Sequence, residues 1–262
     1  MYLPFKISHA SIRCLGYDKN EEYYHSEIKK DERMEQLRVY LSNSDDVIDG
    51  DNLGKLWFPH GKYHVFISHS SKDINMARFL ANWLEVNCGL RCFIDADVWL
   101  NAYEILAEID STHLTKKWVG SELVYDYKER NLSTSHVYSM LSIALMEAID
   151  SIECPIFIES KESVPLKTSI QDKTLSPWIY EEVNFMNKLR RKEPSRLRDT
   201  KYFSAENHTI LLEKAFDSLK ISHTIPTEGL VRMYSKDVKA MKSHKGTAAL
   251  DALYKSKFVD VD

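Results

Sequence analysis

Cysteine is scarce in this sequence, and what there is lies scattered. Cys14, Cys88, Cys92 and Cys154 are the only four in 262 residues. They form no CxxC pair and no regular framework, so reduced thiols in a cytoplasmic protein are expected. No cluster has zinc-ligand spacing, and no metal is expected. No apolar run reaches about 18 residues, so no membrane-spanning helix is expected. The opening MYLPFKISHAS lacks the basic-then-apolar pattern of a signal peptide. There is no basic excess. The net charge is -4 and the pI about 6.2, which argues against nucleic acid as the main partner. No internal repeat and no low-complexity tract stand out.

What is present is the composition of a soluble globular protein, 44% hydrophobic and 28% charged. The chain is organised around Lys62 to Asp73, reading KYHVFISHSSKD. Tyr63 to Ile67 is a short apolar, β-branched and aromatic run, which predicts a buried strand. Ser68-His69-Ser70-Ser71 breaks the run. Ser70 and Asp73 have the Ser-x-x-Asp spacing of a capped helix start. Ile74, Ala77, Leu80, Ala81, Leu84 and Cys88 then share one helical face, and Gly89 marks the stop. The polar turn thus lies at the C-terminal end of a strand, where open α/β sheets bind ligands. A plain connection with solvated serines is the alternative.

Before this stretch, residues 1–60 read as an extension packed on the core. Asp31 to Leu41 forms a charged helix with Met34, Leu37 and Leu41 on one face. Leu56-Trp57-Phe58-Pro59 is an apolar clip, with Trp57 and Phe58 supplying buried area. After it, Leu90 to Asp95 predicts a second strand, completing a βαβ unit. Asp95 ends that strand, so its carboxylate is expected to reach the C-terminal edge of the sheet, with a cap or turn residue as the alternative. Trp99 is expected at the tip of the following loop, or packed over the sheet edge. Residues 100–134 read as a long insertion with a short helix at Tyr103 to Ile109.

Further on, Thr134 or Ser135 is expected to cap a helix through Val137, Met140, Leu141, Ala144, Ala148 and Ile149. His136 would lie in its first turn, where backbone N–H groups attract anions. A structural role for His136 is the alternative. Cys154 to Ile158 predicts a third strand. Ser176-Pro177-Trp178 is a helix start, with Ser as cap and Pro at the first helical position. Trp178 and Glu182 are four apart and hence neighbours on that helix. Read locally, Glu182 is also simply a solvated acid. Leu189 to Arg198 is a basic, solvated run. Ile210 to Phe216 predicts a helix, Leu219 to Ile225 a fourth strand and Gly229 to Tyr234 a fifth, at the edge. Ser235 to Met241 and Ala248 to Tyr254 predict terminal helices. The expected division is an extension over 1–60, a main domain over 61–245 and a C-terminal helix and tail over 246–262.

YHVFISHSSKD (Tyr63 to Asp73), GLRCFID (Gly89 to Asp95) and SPWIYEE (Ser176 to Glu182) together resemble a TIR (Toll/interleukin-1 receptor) domain of bacterial type. The first two resemble that family's opening strand, turn and second strand. The third resembles its Trp-x-x-x-Glu signature. The resemblance implies a flavodoxin-like α/β fold, a central parallel sheet with helices on both faces, and the strand-helix alternation suggests the same class. It implies cleavage of the nicotinamide–ribose bond of NAD+ as substrate, with no cofactor. Glu182 would be catalytic, and Ser68, His69, Ser70, Asp95, Trp99, His136 and Trp178 would bind substrate. The product would be ADP-ribose or a cyclic or modified form, in bacterial antiphage defence. Self-association through TIR contacts and a separate effector that senses the product are the implied partners. Two features depart from better known members: the first turn lacks arginines, and the segment after Asp95 is far longer than a usual BB loop. A non-catalytic TIR scaffold and a nucleoside deoxyribosyltransferase-like enzyme are the alternatives. A phosphoacceptor receiver domain fits poorly, because the first strand ends in Ser68-His69 rather than paired acids.

Overall fold

The computed structural model describes residues 1–24, 30–43, 47–57, 61–99, 102–167, 171–197 and 221–257. The chain divides into two compact units. The first comprises Met1–His25, Lys62–Ile94 and Ala148–Asp262, and the second Ser26–Gly61 and Asp95–Glu147.

Five parallel strands form the sheet of the first unit. In chain order they are β1 (Phe5–Ser8), β2 (Val65–Ser68), β3 (Cys92–Phe93), β4 (Cys154–Glu159) and β5 (Val231–Met233). Across the sheet the order is β5-β1-β4-β2-β3. Parallel strands need covered faces, and the central β2 and β4 are accordingly buried along their whole length, while β1 and β5 carry Lys6 and Arg232 on one side. Read from β3, this is the flavodoxin-like order 2-1-3-4-5, with its fourth place filled by the chain's first strand. The N-terminal segment is therefore not an extension on the core. Phe5, Ile7 and Ile12 are fully buried within it.

One face of the sheet packs on α1 (Ile74–Cys88) through Met76, Ala77, Leu80, Ala81 and Leu84. Gly89 ends α1 at φ 66°, a left-handed cap that favours glycine. The opposite face is covered by α2 (Pro177–Lys188), which buries Ile179, Glu182, Val183 and Met186. Ser176 caps α2, accepting the Ile179 N–H at 3.3 Å. The first face also receives α3 (Ser235–Met241) and α4 (Thr247–Lys257), through Val238, Met241, Leu250, Leu253 and Tyr254. Phe5 stacks on Tyr254 with ring centroids 6.1 Å apart. The C-terminal helix is thus part of the first unit's core. The expected fourth strand is reduced to His223–Ile225. It pairs antiparallel with Asp172–Thr174 in a separate three-stranded sheet with Leu166–Lys167.

The basic run is not simply solvated. Arg196 donates to both Glu153 oxygens and to Asp251, which ties the Ser195–Leu197 turn to α4. Arg198, Phe58, Pro59 and the helix expected at Ile210 to Phe216 lie outside the described residues.

In the second unit the insertion is ordered as a helix (Ala102–His113) followed by an antiparallel hairpin (Lys116–Val119 with Glu122–Tyr125). A 25-residue helix, Tyr127–Ser151, comes next, and this unit takes it as far as Glu147. Helices Lys30–Ser42 and Gly50–Trp57 complete this unit, with Leu37, Leu41, Leu53 and Trp57 buried. Among the described residues no helix is long and apolar enough to cross a membrane.

Candidate functional site

Ser68 is the last residue of β2, and alternation along the strand turns it to the α2 face. Its neighbours Phe66 and Ile67 are fully buried, and so is Ser68. On α2, Glu182 stands in the second turn and points inward with Ile179, Val183 and Met186. The Ser68 hydroxyl donates to Glu182 Oε2 at 2.5 Å. Glu182 is 3% exposed, so the carboxylate is not a solvated helix acid. A buried carboxylate needs hydrogen-bond donors in place of water, and Ser68 is one.

The turn beyond Ser68 is held from the side. His69 and Ser70 are buried, and His69 Nδ1 lies 3.4 Å from the Ile67 carbonyl. Ser70 makes no helix cap. Its hydroxyl donates to Asp73 Oδ2 at 3.0 Å, and a 3-10 turn (Ser71–Asp73) precedes α1. Asp73 Oδ2 also accepts the Ser160 hydroxyl at 2.5 Å, from the turn after β4. The buried Asp73 carboxylate therefore joins the two turns on either side of the β2–β4 boundary. In this strand order the chain reverses direction at that boundary, the place where open α/β sheets bind ligands. Lys72 and Glu162 repeat the link at the surface, 2.8 Å apart.

Trp178 is half-buried in the first turn of α2, one turn before Glu182. So Ser68, His69, Ser70, Trp178 and Glu182 all belong to the first unit. Asp95, Trp99 and His136 belong to the second. Asp95 opens a four-residue helical turn, Asp95–Val98. Trp99 is 6% exposed and packed rather than at a loop tip. His136 is exposed in the middle of the Tyr127–Ser151 helix, where the backbone N–H groups are already used. The expected cap at Thr134 or Ser135 fails because Ser135 donates to the Asn131 carbonyl at 2.8 Å, within the preceding turn.

Three groups at the same edge escaped the sequence reading. Asp73 looked only like a capping residue. Glu159 ends β4 at 8% exposure and pairs with Arg232 of β5 at 3.0 Å. Ser8 ends β1 level with Glu159. A short internal repeat could have found Ser8: Ile7-Ser8-His9-Ala10-Ser11 and Ile67-Ser68-His69-Ser70-Ser71 share the pattern Ile-Ser-His-x-Ser. Among the described residues no group of three or more His, Cys, Asp or Glu side chains is placed to hold a metal ion. No protein-family model, curated protein or solved structure matches the chain.

Proposed function

We propose that the chain is a TIR-domain enzyme that cleaves the nicotinamide–ribose bond of NAD+. The observation that carries this reading is the Ser68–Glu182 hydrogen bond. It joins the strand-end motif to the Trp-x-x-x-Glu helix at the edge where open α/β sheets bind ligands. The glycosidic bond breaks with its electron pair leaving on nicotinamide, which departs neutral and needs no general acid. Positive charge then grows on the ribose as an oxocarbenium-like centre. Glu182 stabilises that charge and accepts a ribose hydroxyl, with Ser68 holding the carboxylate from the strand end. Its benefit is largest in the transition state, so it acts on rate more than on binding. Water adds to C1′ and loses a proton to give ADP-ribose, while attack by an adenine nitrogen gives a cyclic product. Self-association and a separate effector that senses the product belong to the same proposal.

The burial of Glu182 favours one competing reading, a TIR scaffold in which Ser68 and Glu182 form a structural pair. Incubation of purified protein with NAD+, followed by chromatography, separates the two. Free nicotinamide supports the enzyme, and the accompanying peak identifies the nucleotide product. Intact NAD+ under all conditions, including high protein concentration, leaves the scaffold.

A further inference from the structure

We propose that the site has a second, like half built on Ser8 and Glu159, which takes the second nucleoside of the substrate. The ligand would then lie across β4 as a dinucleotide. This inference rests on the NAD+ reading of the Glu182 half.

The two copies of Ile-Ser-His-x-Ser occupy matching places in the fold. Each ends a parallel strand of the same sheet and leads into a helical turn, and β1 and β2 flank β4 on opposite sides. Register sets their facing. Ser8 pairs with Glu159 and Ser68 with Phe157, and Phe157 and Glu159 are two residues apart on one strand. Residues level on neighbouring strands share a face, as do residues two apart on one strand. Ser8, Glu159 and Ser68 therefore share the α2 face at the C-terminal edge, and Glu182 meets Ser68 there.

Each half combines a strand-end serine with a buried carboxylate. Glu182 serves the β2 half. Glu159 serves the β1 half and is held by Arg232 at 3.0 Å. Two strand spacings of about 4.8 Å and an axial offset of two residues at about 3.3 Å each put the two serine Cα atoms about 12 Å apart. A carboxylate at a strand end is the group that dinucleotide-binding sheets use to hold ribose hydroxyls. The Glu159 carboxylate accepts hydrogen bonds only, so the β1 half suits the hydroxyl-bearing ribose of a nucleoside. The half is open to solvent at its rim, where His9, Ala10 and Lys161 are exposed. Ser8 Oγ accepts the Ser11 N–H at 3.3 Å and lies 3.1 Å from the Ser11 hydroxyl, which fixes its position.

The test compares Glu159→Gln with wild type on three probes. NAD+ carries both halves, nicotinamide mononucleotide only the Glu182 half, and ADP-ribose tests the second half by calorimetry without any reaction. The expected result is about a tenfold weaker ADP-ribose Kd and about a tenfold higher KM for NAD+. The kcat for NAD+ and the cleavage of nicotinamide mononucleotide should stay within about twofold of wild type. The double variant Glu159→Gln/Arg232→Gln, which removes both charges, carries the same expectation if the single variant folds poorly. Equal losses on NAD+ and the mononucleotide overturn the second half. So does unchanged ADP-ribose affinity, or no ADP-ribose binding by wild type. If wild type releases no nicotinamide, the NAD+-cleaving reading fails separately, and the ADP-ribose comparison still decides this one.

Discussion

Ser68 and Glu182 lie 114 positions apart in the chain, and their side chains meet at 2.5 Å in the interior of one unit. The contact joins the end of β2 to the second turn of α2. It also makes the carboxylate's chemistry depend on the strand, because the serine hydroxyl occupies one of its oxygens.

Glu182→Gln keeps the shape and removes the negative charge. Nicotinamide release is expected to fall by about a hundredfold or more, with a much smaller change in KM. Glu181→Gln changes a neighbour that points about 100° away around the helix and is expected to keep most activity. Steady-state kinetics on both variants checks this, with thermal melts run alongside because Glu182 is 3% exposed. Equal losses in the two return Glu182 to a structural role.

Ser68→Ala removes the donor and leaves the Glu182 oxygen buried. A loss of about 1–3 kcal/mol in unfolding free energy is expected. In the Glu182→Gln background the same change should cost less, because the charge is gone. A urea-denaturation double-mutant cycle measures the coupling, expected at about 0.5–3 kcal/mol. Additive effects would mean that the bond contributes nothing.

His64 sits at the other end of β2, and its Nδ1 accepts the Arg91 N–H at 3.0 Å. Burial lowers its pKa from 6.5, helped by the Arg91 and Arg196 charges and opposed by Glu153. The folded state therefore prefers the neutral ring, while the unfolded chain takes up a proton near pH 6.5. The His64 contribution is fully present above about pH 6.5 and declines as the pH falls below it towards the lowered folded value. His64→Asn keeps an acceptor and removes the titration. The difference in melting temperature between wild type and variant should change between pH 7.5 and about pH 5.5, with wild type losing more. A pH-independent difference contradicts this.

Gly229 lies beside Asn187 at the end of α2, and a Cβ there would meet the Asn187 amide oxygen. That side chain is held by bonds from its Nδ2 to the Val183 and Pro226 carbonyls, at 2.7 and 3.1 Å. It has little room to yield. Gly229→Ala is expected to cost about 1–3 kcal/mol in chemical denaturation. A partial loss of nicotinamide release should accompany it, because α2 carries Glu182. A neutral substitution would show that α2 can shift without consequence.

Local structure is legible in the sequence where neighbours within one turn decide the outcome. Ser176 and Pro177 start α2, Gly89 ends α1, and the apolar run at Val65 to Ile67 becomes a fully buried strand. Trp178 and Glu182 stand one helical turn apart because the helix period requires it. These features rest on capping bonds, backbone sterics and side-chain periodicity, all of which are written in adjacent residues.

Other features were decided only by tertiary structure. Phe5–Ser8 is four residues long, too short for its own periodicity to mark a central strand, yet it lies between β4 and β5 because their backbones supply its hydrogen-bond partners. Thr134 and Ser135 look like caps, but in the long helix the Ser135 hydroxyl bonds to the Asn131 carbonyl of the preceding turn. Trp99 is packed away because a large aromatic gains more from burial than from a loop tip. The sequence by itself determined which residues carry the candidate chemistry of the β2 turn and α2. Only the folded sheet decided that Ser68 meets Glu182 and that Ser8 lies level with Glu159, because register between strands is a property of distant segments pairing and not of either segment alone.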